Sequence, residues 1–188
     1  MMVEKCGCFD AATQNFSGWV SAYVSLGSNK GDSVALLEEA RRQLAVFHDM
    51  KFAGMSSLYR TEPQGLAEQP FFINQVIHLM CKPGLSPEEL LERLLAVETT
   101  LGRERTTEVR NGPRYIDLDL LLFGDRRMNT ERLILPHPRM LSRAFVLVPL
   151  AEIAPGLPLP QGLPVAEALE HLHYSLAGDI IYQSSGPL

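Results

Sequence analysis

No apolar run in this chain approaches the ~18 residues that a bilayer-spanning helix needs. Residues 1–18 carry no basic segment followed by an apolar one, so no secretory leader is expected and the cytoplasm is the expected compartment. Cysteine is scarce: Cys6, Cys8 and Cys81 form an odd, small set, which argues against a disulfide framework. Cys6-Gly7-Cys8 lacks the second pair a four-ligand metal site requires, and incidental cysteines in a flexible extension over 1–18 are the simpler reading. Gly27-Ser28-Asn29-Lys30-Gly31 is no phosphate-binding P-loop, because lysine does not follow the second glycine at the right spacing. No serine or cysteine sits in a nucleophile elbow, and His171 and His173, two apart on a helix, point in different directions. There is no internal repeat, linker or low-complexity tract, so residues 19–188 are expected to form one domain.

Lysine is missing from one telling stretch. Arg103 to Arg143 holds nine of the thirteen arginines and no lysine, against six acids, a local net of +3 in a chain whose total is −5. The overall charge argues against general nucleic-acid binding. An arginine-only segment in an acidic protein suggests a site for a compact polyanion, since the guanidinium fork matches phosphate oxygens. For any single arginine a solvated surface is the plainer reading; for the cluster, a site is.

With 46% hydrophobic and 21% charged residues over 188 positions, a core can be buried without staples. A strand is predicted at 20–26, ending in a glycine-rich turn. A helix follows to about residue 47, capped by Asp32 and apolar along Leu37, Ala40, Leu44 and Phe47. Strands are predicted at 52–60 and 71–80. Ser86-Pro87-Glu88-Glu89 is a capping box with proline at the first helical position, opening a helix that Gly102 stops. A fourth strand spans 115–123, then a short strand at 145–150 and a helix at 165–171. The order β-α-β-β-α-β predicts an α+β, ferredoxin-like sandwich with a C-terminal extension.

The sharpest feature lies in the fourth strand, Gly112-Pro113-Arg114-Tyr115-Ile116-Asp117-Leu118-Asp119-Leu120-Leu121-Leu122-Phe123. Alternation puts Ile116, Leu118, Leu120 and Leu122 on one apolar face, and Asp117 with Asp119 on the other, alpha carbons ~7 Å apart. Such a pair can share two metal ions ~3.5–4 Å apart, and hard oxygen ligands favour magnesium. It could also merely solvate an open sheet face, but strand interiors disfavour aspartate. Arg103 and Arg105 open a loop suited to clamping phosphates, and His137, between Pro136 and Pro138, is held rigidly enough to donate to one. Phe72 and Asn74 share a strand face, offering a ring to stack on and an amide to pair with a planar, nitrogen-rich ligand. The loop from Thr61 to Gly65 can present backbone groups to it.

Together these residues resemble the 6-hydroxymethyl-7,8-dihydropterin pyrophosphokinases of folate biosynthesis. The matching segments are Leu26-Gly27-Ser28-Asn29, Tyr59-Arg60-Thr61-Glu62-Pro63, Gln69-Pro70 with Phe72 and Asn74, Gly112-Pro113-Arg114 through Asp119, Leu135-Pro136-His137-Pro138, and Arg143-Ala144-Phe145. The resemblance implies transfer of pyrophosphate from ATP to the pterin hydroxymethyl group, releasing AMP. It implies two magnesium ions on Asp117 and Asp119, with Arg103 and Arg105 as catalytic-loop arginines. On the ATP side it implies Glu98, Arg114, Leu120, Arg132, His137 and Arg143. For the pterin it implies Thr61, Glu62, Gln64, Asn74 and the aromatics Phe72 and Phe145, which would sandwich the ring. Asn111, Phe72, Leu95 and Pro138 differ from residues found in some members. The expected partners are ATP and the pterin, with no nucleic acid, membrane or obligate protein partner. The rival readings are another metal-dependent nucleotidyl or phosphotransferase, and a non-catalytic module that senses a nucleotide. Asp117→Ala and Asp119→Ala are each expected to abolish turnover while the fold survives; circular dichroism with a turnover assay checks this, and normal activity in either sinks the metal assignment.

Overall fold

The structure is a computed structural model, and it describes residues 17–63, 68–104, 112–159 and 162–183. Cys6, Cys8, Gln64, Arg105 and Asn111, and nearly all of the expected 1–18 extension, lie outside the described residues.

The chain opens with strand β1 (Val20–Ser28) and helix α1 (Ser33–Leu44). Asp32 caps α1, its carboxylate accepting from the Ala35 amide at 3.1 Å. Strand β2 (Met50–Met55) and strand β3 (Tyr59–Thr61) replace the single strand expected over 52–60. The break has a physical cause at Ser56. Its hydroxyl accepts from the Val76 amide at 3.0 Å, taking a backbone carbonyl's place in the ladder. Strand β4 (Phe72–Cys81) follows, then helix α2 (Pro87–Thr100), with the Ser86–Glu89 capping box formed as its sequence requires. Gly102, just past the helix, takes the left-handed conformation (φ 87°) that glycine adopts without strain.

Strand β5 (Asp117–Phe123) completes a central sheet of order β5-β1-β4, with β2 and β3 both on the far edge of β4. Helices α1 and α2 cover one face, where Leu37, Ala40, Leu44, Leu90, Leu94 and Val97 pack on Val24, Leu26, Ile77, Leu79, Leu118 and Leu120. The other face is covered by helix α3 (Ala144–Ile153) and helix α4 (Val165–Glu170). Between β5 and α3 in the chain come a small ribbon, β6 (Met128–Asn129) with β7 (Ile134–Leu135), and a 3-10 turn at Met140–Ser142. The chain closes on a hairpin, β8 (Ser175–Ala177) and β9 (Ile180–Tyr182), and β9 extends the sheet alongside β3. Among the described residues no helix is long and apolar enough to cross a membrane.

Two expectations are corrected. The strand expected at 145–150 is part of α3. Val146, Leu147, Val148 and Leu150 are all buried, so the segment is apolar on every side and shows no helical period; a short continuous apolar run does not distinguish the two states. Leu122 does not join the apolar face of Ile116, Leu118 and Leu120. The ladder pairs Val24 with Leu120 but Tyr23 with Leu122, so Leu121 is an extra residue in a bulge. Beyond it the alternation inverts, sending Leu122 to the α3 side and Phe123 to the α1–α2 side.

Asp49, just before β2, accepts a bidentate bond from Arg93 on α2, and this partner holds its carboxyl below the ordinary 3.8. A carboxyl with a lowered folded-state pKa stabilises above its unfolded pKa and loses that contribution as pH falls through the folded value. The melting-temperature advantage of the wild type over Asp49→Asn should therefore be full at neutral pH and shrink below about pH 3.8; an advantage independent of pH counts against the pair.

Candidate active site

The ends of β1, β4 and β5 lie side by side. Gly27 pairs with Asn74 on one flank and Asp117 on the other, while Ser25 pairs with Asp119. These residues share the sheet face that α3 covers, at the end the helix leaves open. Gly27 is required there by close approach, because a Cβ on it would lie 2.9 Å from Asn74 Oδ1. Asn74 uses the space to donate to Thr61 Oγ1 at 2.7 Å, and both are buried. This leaves the Asn74 carbonyl and the Thr61 hydroxyl hydrogen available to a ligand.

The two aspartates have separate cationic partners. Asp117 accepts from Arg103 at 2.5 Å and from Arg114 at 2.6 Å. Arg103 also donates to Glu98, a carboxylate only 1% exposed on α2. The same Glu98 oxygen accepts the Leu118 amide at 2.7 Å, so one buried acid ties α2, β5 and Arg103 together. Asp119 faces Arg143 at 3.5 Å and His137 Nε2 at 3.8 Å. Crowding withdraws water from Asp119, and with the nearby Asp117 charge this raises its pKa above the ordinary value; His137, Arg143 and Arg103 oppose the rise.

His137 is oriented at both ends. Its backbone amide donates to the Leu121 carbonyl at 2.9 Å, and its Nδ1 accepts from the Arg139 amide at 3.2 Å. With Nδ1 an acceptor, the neutral ring carries its proton on Nε2, the nitrogen that faces Asp119. Burial lowers the His137 pKa, favouring this neutral form.

Two of the aspartate-bound arginines, Arg114 and Arg143, lie over aromatic rings. Arg114 Cζ is 5.6 Å from the centroid of Phe72, and Arg143 Cζ is 5.3 Å from that of Phe145. Two parallel chains result, Asp117–Arg114–Phe72 and Asp119–Arg143–Phe145, each linking a carboxylate to a ring face.

Asn29 holds the loops around this face. Its backbone amide donates to the Arg114 carbonyl at 3.1 Å, and its side-chain oxygen accepts the Arg114 amide at 2.9 Å. Its Nδ2 donates to Gln69 Oε1 and to the Pro70 carbonyl. Asn29 belongs to the Leu26-Gly27-Ser28-Asn29 segment, but nothing in sequence assigned it a task; a polar residue two beyond a strand-ending glycine was the available signal.

Of the other expected residues, Glu62 follows β3 and accepts the Gln183 amide at 3.0 Å. Arg132 stands apart, exposed, 3.3 Å from Glu92 on α2. Leu120 sends its side chain into the α1–α2 core and is not brought to the carboxylate face. Gln64 and Arg105 fall outside the described residues.

A hard divalent cation fits this face. Asp117 and Asp119 supply oxygen donors from one side of a strand, and the groups facing Asp119, Arg143 and His137, stand at 3.5 and 3.8 Å, which leaves its lone pairs accessible. Among the described residues no cluster of three or more His, Cys, Asp or Glu forms a closed cage. Magnesium commonly takes one or two carboxylates and fills its shell with water and substrate phosphate, so two donors suffice.

Comparison with known proteins bears on the same residues. The model of the family "7,8-dihydro-6-hydroxymethylpterin-pyrophosphokinase (HPPK)" matches residues 23–155. A 2-amino-4-hydroxy-6-hydroxymethyldihydropteridine pyrophosphokinase of Bacillus subtilis is 47% identical over 132 residues, 70% of this chain and 77% of the relative. Its namesake from Methylorubrum extorquens is 45% identical over 151 residues, 80% and 92% of the two chains. Among solved structures, a Plasmodium falciparum HPPK-DHPS with pteroate superposes with a TM-score of 0.63 at 14% identity, over 81% of this chain and 42% of that one. The chain thus spans less than half of that larger protein, and the likeness speaks to the fold alone.

Glu98→Ala should destabilise the fold by about 3–5 kcal/mol, the usual cost of removing one member of a buried ion pair. Urea unfolding measures it, and a loss below ~1 kcal/mol would show that Arg103 and the Leu118 amide do not depend on this carboxylate.

Proposed function

The chain belongs to the 7,8-dihydro-6-hydroxymethylpterin-pyrophosphokinase family, and we propose that it transfers pyrophosphate from ATP to the hydroxymethyl group of 6-hydroxymethyl-7,8-dihydropterin, giving AMP and the pterin diphosphate. It is an enzyme of folate biosynthesis, as its relatives are. The observation that carries the finer reading is the pair of aspartate–arginine–aromatic chains, which sets phosphate-binding and ring-binding groups next to each other.

In this reading the pterin ring lies between Phe72 and Phe145, and the Asn74–Thr61 pair meets its heteroatoms. Arg114 and Arg143, already beside the rings, turn their guanidinium groups to the ATP phosphates. His137 donates its Nε2–H on the same side. Arg103 follows the charge that develops at the reacting phosphorus, a role the resemblance also implies for Arg105, which lies outside the described residues. Glu98 serves the ATP side through Arg103, and Arg132 completes it from the surface, while Leu120 stays in the α1–α2 core. Asp117 and Asp119 would hold two magnesium ions. Bound there, magnesium neutralises phosphate charge and lowers the pKa of the attacking hydroxyl.

The pterin oxygen bonds to the β-phosphorus as the bond from that phosphorus to the α-phosphate bridging oxygen breaks, so AMP leaves. Among the described residues no side chain is an obvious general base; positioning and charge neutralisation can carry most of the catalysis in phosphoryl-type transfers. The strand order supports the ferredoxin-like β-α-β-β-α-β core, with β2 and β3 serving as one interrupted strand. We assign the activity to one domain, 19–188, acting in the cytoplasm.

The deciding assay supplies ATP, magnesium and the hydroxymethyl-dihydropterin, and resolves the nucleotide products. AMP and pterin diphosphate in equal amounts are expected, with turnover lost on chelation by EDTA. Release of free pyrophosphate would mark a nucleotidyl transferase instead, and magnesium-independent binding without turnover would mark a sensing module.

A further inference from the structure

Strand β9 and the residue after it lie beyond the 23–155 segment that the family model matches, yet they touch both walls of the ring-binding slot. We propose that Gln183 is a positioning residue for the pterin pocket, holding the end of β3 against the start of α3. The proposal rests on the reading of that slot given above.

The contacts are specific. Strand β9 runs parallel to β3, with Ile180 opposite Arg60 and Ile181 opposite Thr61, and the Arg60 amide donates to the Asp179 carbonyl at 2.9 Å. Thr61 is therefore fixed from two sides, by Asn74 on β4 and by β9. One residue further, the Gln183 backbone amide donates to Glu62 Oε1 at 3.0 Å. The Gln183 side chain turns to the opposite wall. Its Oε1 accepts the Ala144 amide at 2.8 Å, and its Nε2 donates to the Ser142 carbonyl at 2.9 Å.

Ala144 opens α3, whose N-cap residue Arg143 makes no side-chain cap bond. The first-turn amides of a helix need outside acceptors. Gln183 supplies one from the far end of the chain. The segment it grips, from Ser142 to Ala144, carries Arg143 and leads directly into Phe145. Burial points the same way, independently: Ile181, 1% exposed, packs with Ala144 and Val148 in a cluster that Phe145 joins. A hydrogen-bonded clip and an apolar contact therefore join the same two elements.

A structural role alone would lower stability and leave the two substrates equally affected. A positioning role falls more heavily on the pterin side, since Glu62, Thr61 and Phe145 line that slot, whereas of the ATP-side groups only Arg143 lies in the gripped segment; the aspartates and Arg114 sit on β5 and before it. The test compares the full-length wild type with Gln183→Ala and Gln183→Met, measuring KM for each substrate and kcat. Methionine restores bulk without the hydrogen bonds. Both variants should raise KM for the pterin about three- to tenfold, in keeping with the loss of one or two hydrogen bonds, while KM for ATP moves less than about twofold. Amide exchange at Ala144 should also quicken in both. An unchanged pterin KM, an equal rise in both KM values, or wild-type behaviour in Gln183→Met overturns the clip. A wild type that forms no AMP from these substrates overturns the functional reading itself, a failure visible before any variant is assayed.

Discussion

The arrangement depends most on one buried acid, Glu98. A carboxylate removed from water must be paired and hydrogen-bonded or it costs several kcal/mol. Glu98 meets that demand with Arg103 and the Leu118 amide, which lies between the two aspartates on β5. Helix α2 is thereby locked to the strand that carries Asp117 and Asp119, and Arg103 is pointed inward at Asp117. Such an ion pair is poor evidence of net stability, since an apolar replacement of the same shape can match it. Its value here is geometric: α2 must turn Glu98 toward β5 to satisfy both partners at once.

The arginine-rich window follows from the same demand. Arg103, Arg114 and Arg143 each answer a carboxylate, and two of them also lie over rings. Without a bound cation these arginines are the countercharge of Asp117 and Asp119. In the proposed reaction, polyanionic phosphate bound with a metal would let the carboxylates and the arginines exchange partners with little new charge left unpaired. Asn29 gives this exchange a firm frame, because its amide and backbone join the turn after β1, the Gln69–Pro70 segment and Arg114.

Much of this was readable from local chemistry. The Ser86–Glu89 box, the Asp32 cap and the placing of Asp117 and Asp119 opposite Leu118 follow from period and capping alone. Where sequence reasoning failed, tertiary burial had erased the signal. Helix α3 is apolar on all sides because it is packed against β4 and α4 and beside β9, so its 3.6-residue period is invisible. The β2–β3 break rests on Ser56, whose hydroxyl bonds to a residue twenty positions away. Gln183 acts on residues 39 and 121 positions distant, which no window of sequence can reveal. Its hairpin did leave a trace, Gly178-Asp179 between short apolar runs.

The bulge at Leu121 shows why one departure from alternation matters to the site. Had β5 continued its regular pleat, Leu121 and Phe123 would follow Asp119 on the α3 side and Leu122 would join Leu120 against α1 and α2. The bulge instead sets Leu121 and Leu122 together with Tyr23 on the α3 side and sends Phe123 into the α1–α2 core. The near half keeps its aspartates on that same face, just where the helix begins. The Leu121 carbonyl, meanwhile, accepts the His137 amide. The bulged residue thus packs in the cluster under α3, whose start brings Arg143 and Phe145, and its carbonyl anchors the loop that brings His137; Arg143 and His137 both face Asp119.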